Sequence, residues 1–181
     1  LAAINRLKGN DIPVIFCSAK TRAEQEVYRR ELALFHPFIV ENGSAIFIPR
    51  AYFPFPFDYH KAVDDLLAVE LAIHYSRVRK LLAQIRNEHD FRFRGLGDMS
   101  AAEVAEITGL NIEFAKLAKH REYDEPVKFD PSGEKDLSEF LVKLGEASLN
   151  WAYGGRQFYH ITGGGDKGKA VEVLIGLYRR M

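Results

Sequence analysis

Apolar positions fall into short runs whose period changes several times along the chain. Ile12 to Cys17 (IPVIFC) is an almost unbroken apolar run rich in β-branched residues, the pattern of a strand covered on both faces of a parallel sheet. Before it, Leu1 to Lys8 reads as the second half of an amphipathic helix, with Ile4 and Leu7 on one face and Gly9-Asn10 as its stop. After it, Thr21 to Leu34 sets Ala23, Val27 and Leu32 among polar residues, as in a surface helix. Pro37 breaks that helix. Phe38-Ile39-Val40 and Ala45 to Ile48 then read as two short strands around a Glu41-Asn42-Gly43 turn. The opening order helix, strand, helix, strand, strand points to an α/β sheet.

Between Pro49 and His60 three prolines and five aromatic residues exclude a continuing helix, and a domain boundary is expected there. Beyond it, Leu66 to Ile73 alternates as a strand, Val78 to Ile85 carries a helical stripe, and Phe91 to Arg94 alternates with period two. Ser100 and Glu103 form a capping-box pattern, Gly109 ends that short helix, and Asn111 caps the next. Val127 to Phe129 predicts a strand, Lys135 to Leu144 a helix, and Leu149 to Ile161 a hairpin turning at Gly154-Gly155. Gly163-Gly-Gly165 leads into a final helix from Asp166 to Arg180.

Composition narrows the class of function. Apolar residues at 47% and charged residues at 28% are ordinary globular values, which excludes a collagen-like, disordered or disulfide-framework chain. Lysine plus arginine (25) balance aspartate plus glutamate (25), so no basic excess suggests nucleic acid as a partner. Cys17 is the single cysteine, which fits a reducing compartment and leaves no cysteine cluster for zinc. No apolar run approaches the ~20 residues that span a bilayer, so a soluble, cytoplasmic protein with no membrane partner is expected.

Three segments carry candidate chemistry. Ser18-Ala-Lys20-Thr-Arg22 brings a hydroxyl, free backbone N–H groups and two cations to the carboxyl end of a strand, where open α/β sheets bind ligands. An anion site and a plain helix cap with solvated cations are equal readings of it. Gly163-Gly-Gly-Asp-Lys167-Gly-Lys169 leads a lysine into a helix start, but Ala170 stands where a nucleotide-binding phosphate loop needs Ser or Thr. A glycine linker and a phosphate-binding lysine remain equal readings here too. Arg121 to Glu125, with Gly154 to His160, offers guanidinium groups and carboxylates suited to small carboxylates and sugar hydroxyls. A solvated charge run and a packed strand histidine are the plainer readings.

Taken in order, Ser18-Ala-Lys-Thr-Arg, Phe38-Ile-Val-Glu-Asn-Gly43, Arg121-Glu-Tyr-Asp-Glu, Gly155-Arg-Gln-Phe-Tyr-His160 and Asp166-Lys-Gly168 resemble the mannosyl-3-phosphoglycerate phosphatase family. That family belongs to the haloacid-dehalogenase-like phosphatases with a large α+β cap, and the resemblance covers nearly the whole chain. It implies a partial Rossmann-like parallel-sheet core over residues 1–58 and 160–181, with an α+β cap inserted at 59–159. It also implies a magnesium-dependent phosphomonoesterase acting on a small phosphorylated sugar-glycerate. Ser18 would hold the transferring phosphoryl group and Lys167 would neutralise it. Lys20, Arg22, Glu41 and Asn42 would line the floor of the site, while Arg121, Arg156 and His160 would reach from the cap to the glycerate and sugar ends. The family's aspartate nucleophile, in an Asp-x-Asp motif, and its Gly-Asp-x-x-x-Asp acidic pair for magnesium do not occur in this sequence. Both are expected beyond the two ends, and no metal ligand is expected within the chain.

Overall fold

A computed structural model describes residues 2–130, 136–155 and 158–181. Helix α1 (Ala2–Lys8) closes at Gly9, whose N–H donates to the Asn5 carbonyl. Helix α2 (Arg22–Glu31) starts at Thr21, whose side chain accepts from the Glu24 N–H while the Glu24 carboxylate accepts from the Thr21 N–H, a reciprocal cap.

The first sheet contains β1 (Phe38–Val40), β2 (Ala45–Pro49), β3 (Lys61–Val63) and β4 (Leu66–Glu70), in the order β1-β2-β4-β3 with every pair antiparallel. Its apolar runs are uninterrupted because both faces are covered. Ile39, Ile46, Ile48 and Val69 pack against Ala170, Leu174 and Leu177 of the last helix, while Phe38, Val40, Ala45, Phe47 and Ala68 pack with Tyr123 on the other side.

Mixed α/β architecture is therefore present, but the strand expected at Ile12–Cys17 is reduced to one parallel bridge, Cys17 to Ile39. The Ile39 N–H donates to the Phe16 carbonyl (2.7 Å) and the Ser18 N–H to the Ile39 carbonyl (3.3 Å). Pro13 has no N–H to donate and Ile12 is exposed, so the apolar run gains ladder bonds only at its carboxyl end. The expected parallel pairing survives at that bridge, the one parallel contact among the described residues.

Helix α3 (Tyr75–His89), β5 (Phe93–Gly95), α4 (Ala101–Thr108), α5 (Ile112–Ala118), β6 (Glu125–Phe129), α6 (Leu137–Glu146), β7 (Asn150–Tyr153) and β8 (Tyr159–Thr162) follow. Their sheet has the order β5-β6-β8-β7, again antiparallel throughout. One face packs on α3 and α6 through Val78, Leu82, Val127, Phe129, Phe140, Leu144 and Ile161. Ser100 and Asn111 cap α4 and α5 as their patterns predict. The switch between sheets falls after Glu70, because β4 pairs with β2 and β3 with β4, whereas the change of composition lies upstream, near residue 59.

Helix α7 (Lys167–Tyr178) returns the chain to the first sheet. The turn after β1 runs through Glu41, Asn42 and Gly43 with φ of 46°, 61° and 88°. A Cβ at Gly43 would lie 2.2–2.5 Å from the backbone of Asp166 and Lys167, so only glycine lets the start of α7 sit on this turn. Among the described residues, no helix is long and apolar enough to cross a membrane.

Candidate functional site

Strand β8 alternates by face. Tyr159 and Ile161 join the core under α3 and α6, so His160 and Thr162 point the other way, beside their cross-strand partners Ala152 and Asn150. These four residues line a cleft of about 500 Å³ together with Asn42, Gly165, Asp166 and Lys167 from the far side and Trp151 at the edge. Asp166 caps α7 by accepting from the Lys169 N–H (2.7 Å), which leaves Lys167 as the exposed first residue of that helix. A cation thus stands at the rim where the first sheet's turn, the helix start and the second sheet's open face meet.

Beneath the cleft lies a polar joint between the sheets. Asp124 is fully buried. Its carboxylate accepts from Asn42 Nδ2 (2.7 Å) and Arg121 Nη1 (3.2 Å), and His160 Nδ1 stands 2.9 Å from Oδ2. Burial works to raise the Asp124 pKa, but Arg121, His160 and Asn42 outweigh it and hold the carboxyl below its usual range. Glu41 is also fully buried, accepting from the N–H of Glu122 (3.0 Å), Tyr123 (3.0 Å) and Asp124 (2.7 Å). Burial pushes it up to about 7 against the pull of Arg121, with Asp124 adding to the rise.

Asn42, His160 and Lys167, among the residues expected to bind, are brought to the cleft itself. Ser18 sits behind it: its carbonyl accepts from the Asn42 N–H (3.0 Å), and its Oγ accepts from the Lys20 N–H and Gln25 Nε2, each 3.2 Å. Lys20 pairs with Glu24 (3.0 Å) and, with Arg121 and His160, borders a second recess of about 170 Å³.

Three residues occupy places other than those expected. Glu41 clamps backbone at the joint instead of facing a ligand. Arg22 is drawn to Glu122 (2.9 Å) and Glu26 (3.1 Å) across the Phe47 ring and does not line the cleft. Arg121 donates to the Ala19 and Ala118 carbonyls, both at 3.0 Å, as well as to Asp124, and is 5% exposed at its side chain. Arg156 lies outside the described residues. Asp124, missed as a site residue, was hidden inside a charged run, and only its place just before the buried β6 hinted that its carboxylate turns inward.

These side chains offer no place for the magnesium that the resemblance implies. Among the described residues, no group of three or more His, Cys, Asp or Glu is close enough to hold a metal ion. Asp124 and Glu41 already accept from Arg121, Asn42 and backbone N–H groups. The described residues do not fit the ion.

Compared with known proteins, the chain is 43% identical over 178 residues to the glucosyl-3-phosphoglycerate/mannosyl-3-phosphoglycerate phosphatase of Methanococcoides burtonii, covering 98% of this chain and 65% of that protein. It is 40% identical over 178 residues to the mannosyl-3-phosphoglycerate phosphatase of Pyrococcus horikoshii, covering 98% and 70%. Among solved structures, a haloacid dehalogenase-like hydrolase from B. subtilis shares the fold with a TM-score of 0.65 at 10% identity, over 98% of this chain and 71% of that one. No family model matches the chain. The chain spans about two thirds of the length of these curated relatives, at 65% and 70%.

Proposed function

The chain belongs to the mannosyl-3-phosphoglycerate phosphatase family, and we propose on that basis that the whole protein hydrolyses mannosyl-3-phosphoglycerate to mannosylglycerate and inorganic phosphate. The observation that carries this reading is the cleft in which Lys167, at a helix start, faces His160 and Asn42 across a space fit for a small anionic ligand. Glucosyl-3-phosphoglycerate is the second substrate we propose, because a relative named for both sugars is similar over nearly the whole chain.

In this reading the phosphoryl group lies near Lys167, whose ammonium balances the charge on its oxygens, and the N–H groups at the start of α7 lie on the same side. Asn42 fixes the floor, and His160 meets the sugar-glycerate end. The turn hydrogen bonds of Ser18 hold Asn42 in register with Lys167. An aspartate belonging to the remaining third of the relatives' length attacks phosphorus, the alcohol leaves, and water then hydrolyses the aspartyl-phosphate. Magnesium is assigned to that same remainder, and the setting is cytoplasmic, as for other small phosphorylated metabolites. Of residues 59–159, expected to form a cap, we propose that the part beyond Glu70, which builds the second sheet and its helices, is the specificity-bearing cap of this enzyme. Arg156, within it, remains a proposed ligand of the glycerate.

Phosphate release from both glycosyl-phosphoglycerates by the whole protein, with magnesium present, is the deciding assay. Release from neither overturns the assignment and favours a non-catalytic sugar-phosphate-binding protein.

A further inference from the structure

The hydrogen bonds around His160 leave little freedom in how the ring is protonated and aimed. An ionised carboxylate only accepts, so the imidazole atom beside Asp124 must carry the proton, and that atom is Nδ1, at 2.9 Å and 3.2 Å from the two carboxylate oxygens. Arg121 and Asn42 fix the same carboxylate from two other directions, so its position does not depend on the histidine. The opposite edge of the ring lies over the hairpin. A Cβ at Gly154 would stand 2.7 Å from Cδ2 and 2.8 Å from Nε2, closer than real Cβ atoms come. The turn there is held by the Gly154 N–H donating to the Phe158 carbonyl (2.8 Å), so the backbone has no easy way to retreat. Among the described residues no hydrogen bond reaches Nε2, and the ring borders both the large cleft and the smaller recess.

We propose that Asp124 and Gly154 are positioning residues that hold His160 as its Nδ1–H tautomer and present the bare Nε2 to the ligand. A neutral imidazole held this way accepts at Nε2, so it reads a hydroxyl group and not a carboxylate or phosphate oxygen. On the phosphatase reading above, which this half of the inference rests on, that hydroxyl belongs to the sugar, and His160 separates glycosylated from unglycosylated phosphoglycerate. Asp124 thereby connects ligand reading in the second sheet to Asn42 on the first-sheet turn, through a single carboxylate.

Long-range nitrogen–proton NMR on the ¹⁵N-histidine-labelled protein tests it, at a pH high enough to leave all six histidines neutral. The expected result is a protonated Nδ1 at His160, the reverse of the tautomer that free neutral imidazole side chains prefer, and its conversion to Nε2–H in Asp124→Ala. In Gly154→Ala, which keeps every buried charge and so serves if the Asp124 variant does not fold, the Nδ1 proton signal should broaden or shift as the ring is pushed off its seat. Asp124→Asn, whose amide oxygen still accepts from Nδ1–H, should restore the tautomer. An Nε2–H tautomer in the unsubstituted protein, or one unchanged by Asp124→Ala, overturns the proposal whatever the enzyme's substrate. Addition of mannosyl-3-phosphoglycerate should then move the Nε2 resonance while 3-phosphoglycerate leaves it in place. Equal movement with both overturns the hydroxyl assignment. A spectrum that responds to neither compound at any residue overturns the phosphatase reading instead, leaving the tautomer result intact.

Discussion

The two sheets have the same number of strands and the same antiparallel pairing, yet apolar clusters pack on both faces of the first and the main cluster of the second packs on one face. In the first, β1 and β2 read as continuous apolar runs, and Phe38, Ile39, Ile46 and Phe47 are all fully buried. In the second, β8 alternates by face, and its polar positions His160 and the buried Thr162 border the cleft while β7 is exposed along its length. A sheet closed on both faces supports a rigid turn, here the Glu41-Asn42-Gly43 turn against which α7 starts. A sheet open on one face supplies side chains to a ligand. In this chain stability and recognition are thus divided between the sheets, and they meet at the buried carboxylates Glu41 and Asp124.

Emptying the core of the first sheet should have the largest effect. Phe47→Ala removes a fully buried ring stacked on Phe38 (5.5 Å) and covered by Arg22, and should cost about 3–5 kcal/mol in urea unfolding. Trp151→Ala, on the half-exposed edge of the open sheet, should cost far less, and an equal loss would end the division between them. Next in size, on the proposed function, Lys167→Ala in the whole protein should lower kcat by ~10²–10³ with little change in Tm, since the residue is exposed at the rim.

The joint makes a pH test. Glu41 has its folded pKa raised to about 7 from an ordinary 4.5, so the folded state binds more protons across that window. Stability should therefore fall as pH rises from 4.5 toward 7 and level off above it, a gap worth about 3 kcal/mol. Urea unfolding at about pH 5 and about pH 8 should show this decline, with Glu41→Gln removing most of the slope. A stability that rises over the same interval to the same extent in both proteins would show that the clamp is not the titrating group. The smallest effect expected is from Ser100→Ala, far from the joint, which removes the cap of α4 and should lower stability by about 1 kcal/mol without altering ligand binding.

Local signals in the sequence were strong where the cause is local. A helix cap is closed within three residues, so Ser100 with Glu103 and Asn111 announce α4 and α5, and an amphipathic period announces α3. The alternation of Leu66 to Glu70 and the Gly154-Gly155 break place a strand and a hairpin because side-chain period and turn chemistry act over a few residues. The ordered motifs from Ser18 to Lys167 were legible as a family resemblance. Residues whose roles depend on distant partners were not. Arg22 reads as a free cation until Glu122, 100 residues away, is folded beside it, and Asn42 reads as a turn residue until Asp124, 82 residues away, accepts from it. The apolar run Ile12–Cys17 asks for two neighbouring strands, and sequence alone does not say how many hydrogen bonds it receives.

The period, the caps and the turn at each place in the chain are thus legible without a fold, since these follow from side-chain shape and from hydrogen bonds spanning a few residues. Only the tertiary structure decided which charges are spent on one another and which face the cleft. Burial removes water as the competing partner, so Arg121, Glu41, Asp124 and His160 must satisfy one another across the sheet junction. That condition is set by three-dimensional neighbours and is written nowhere in the local pattern.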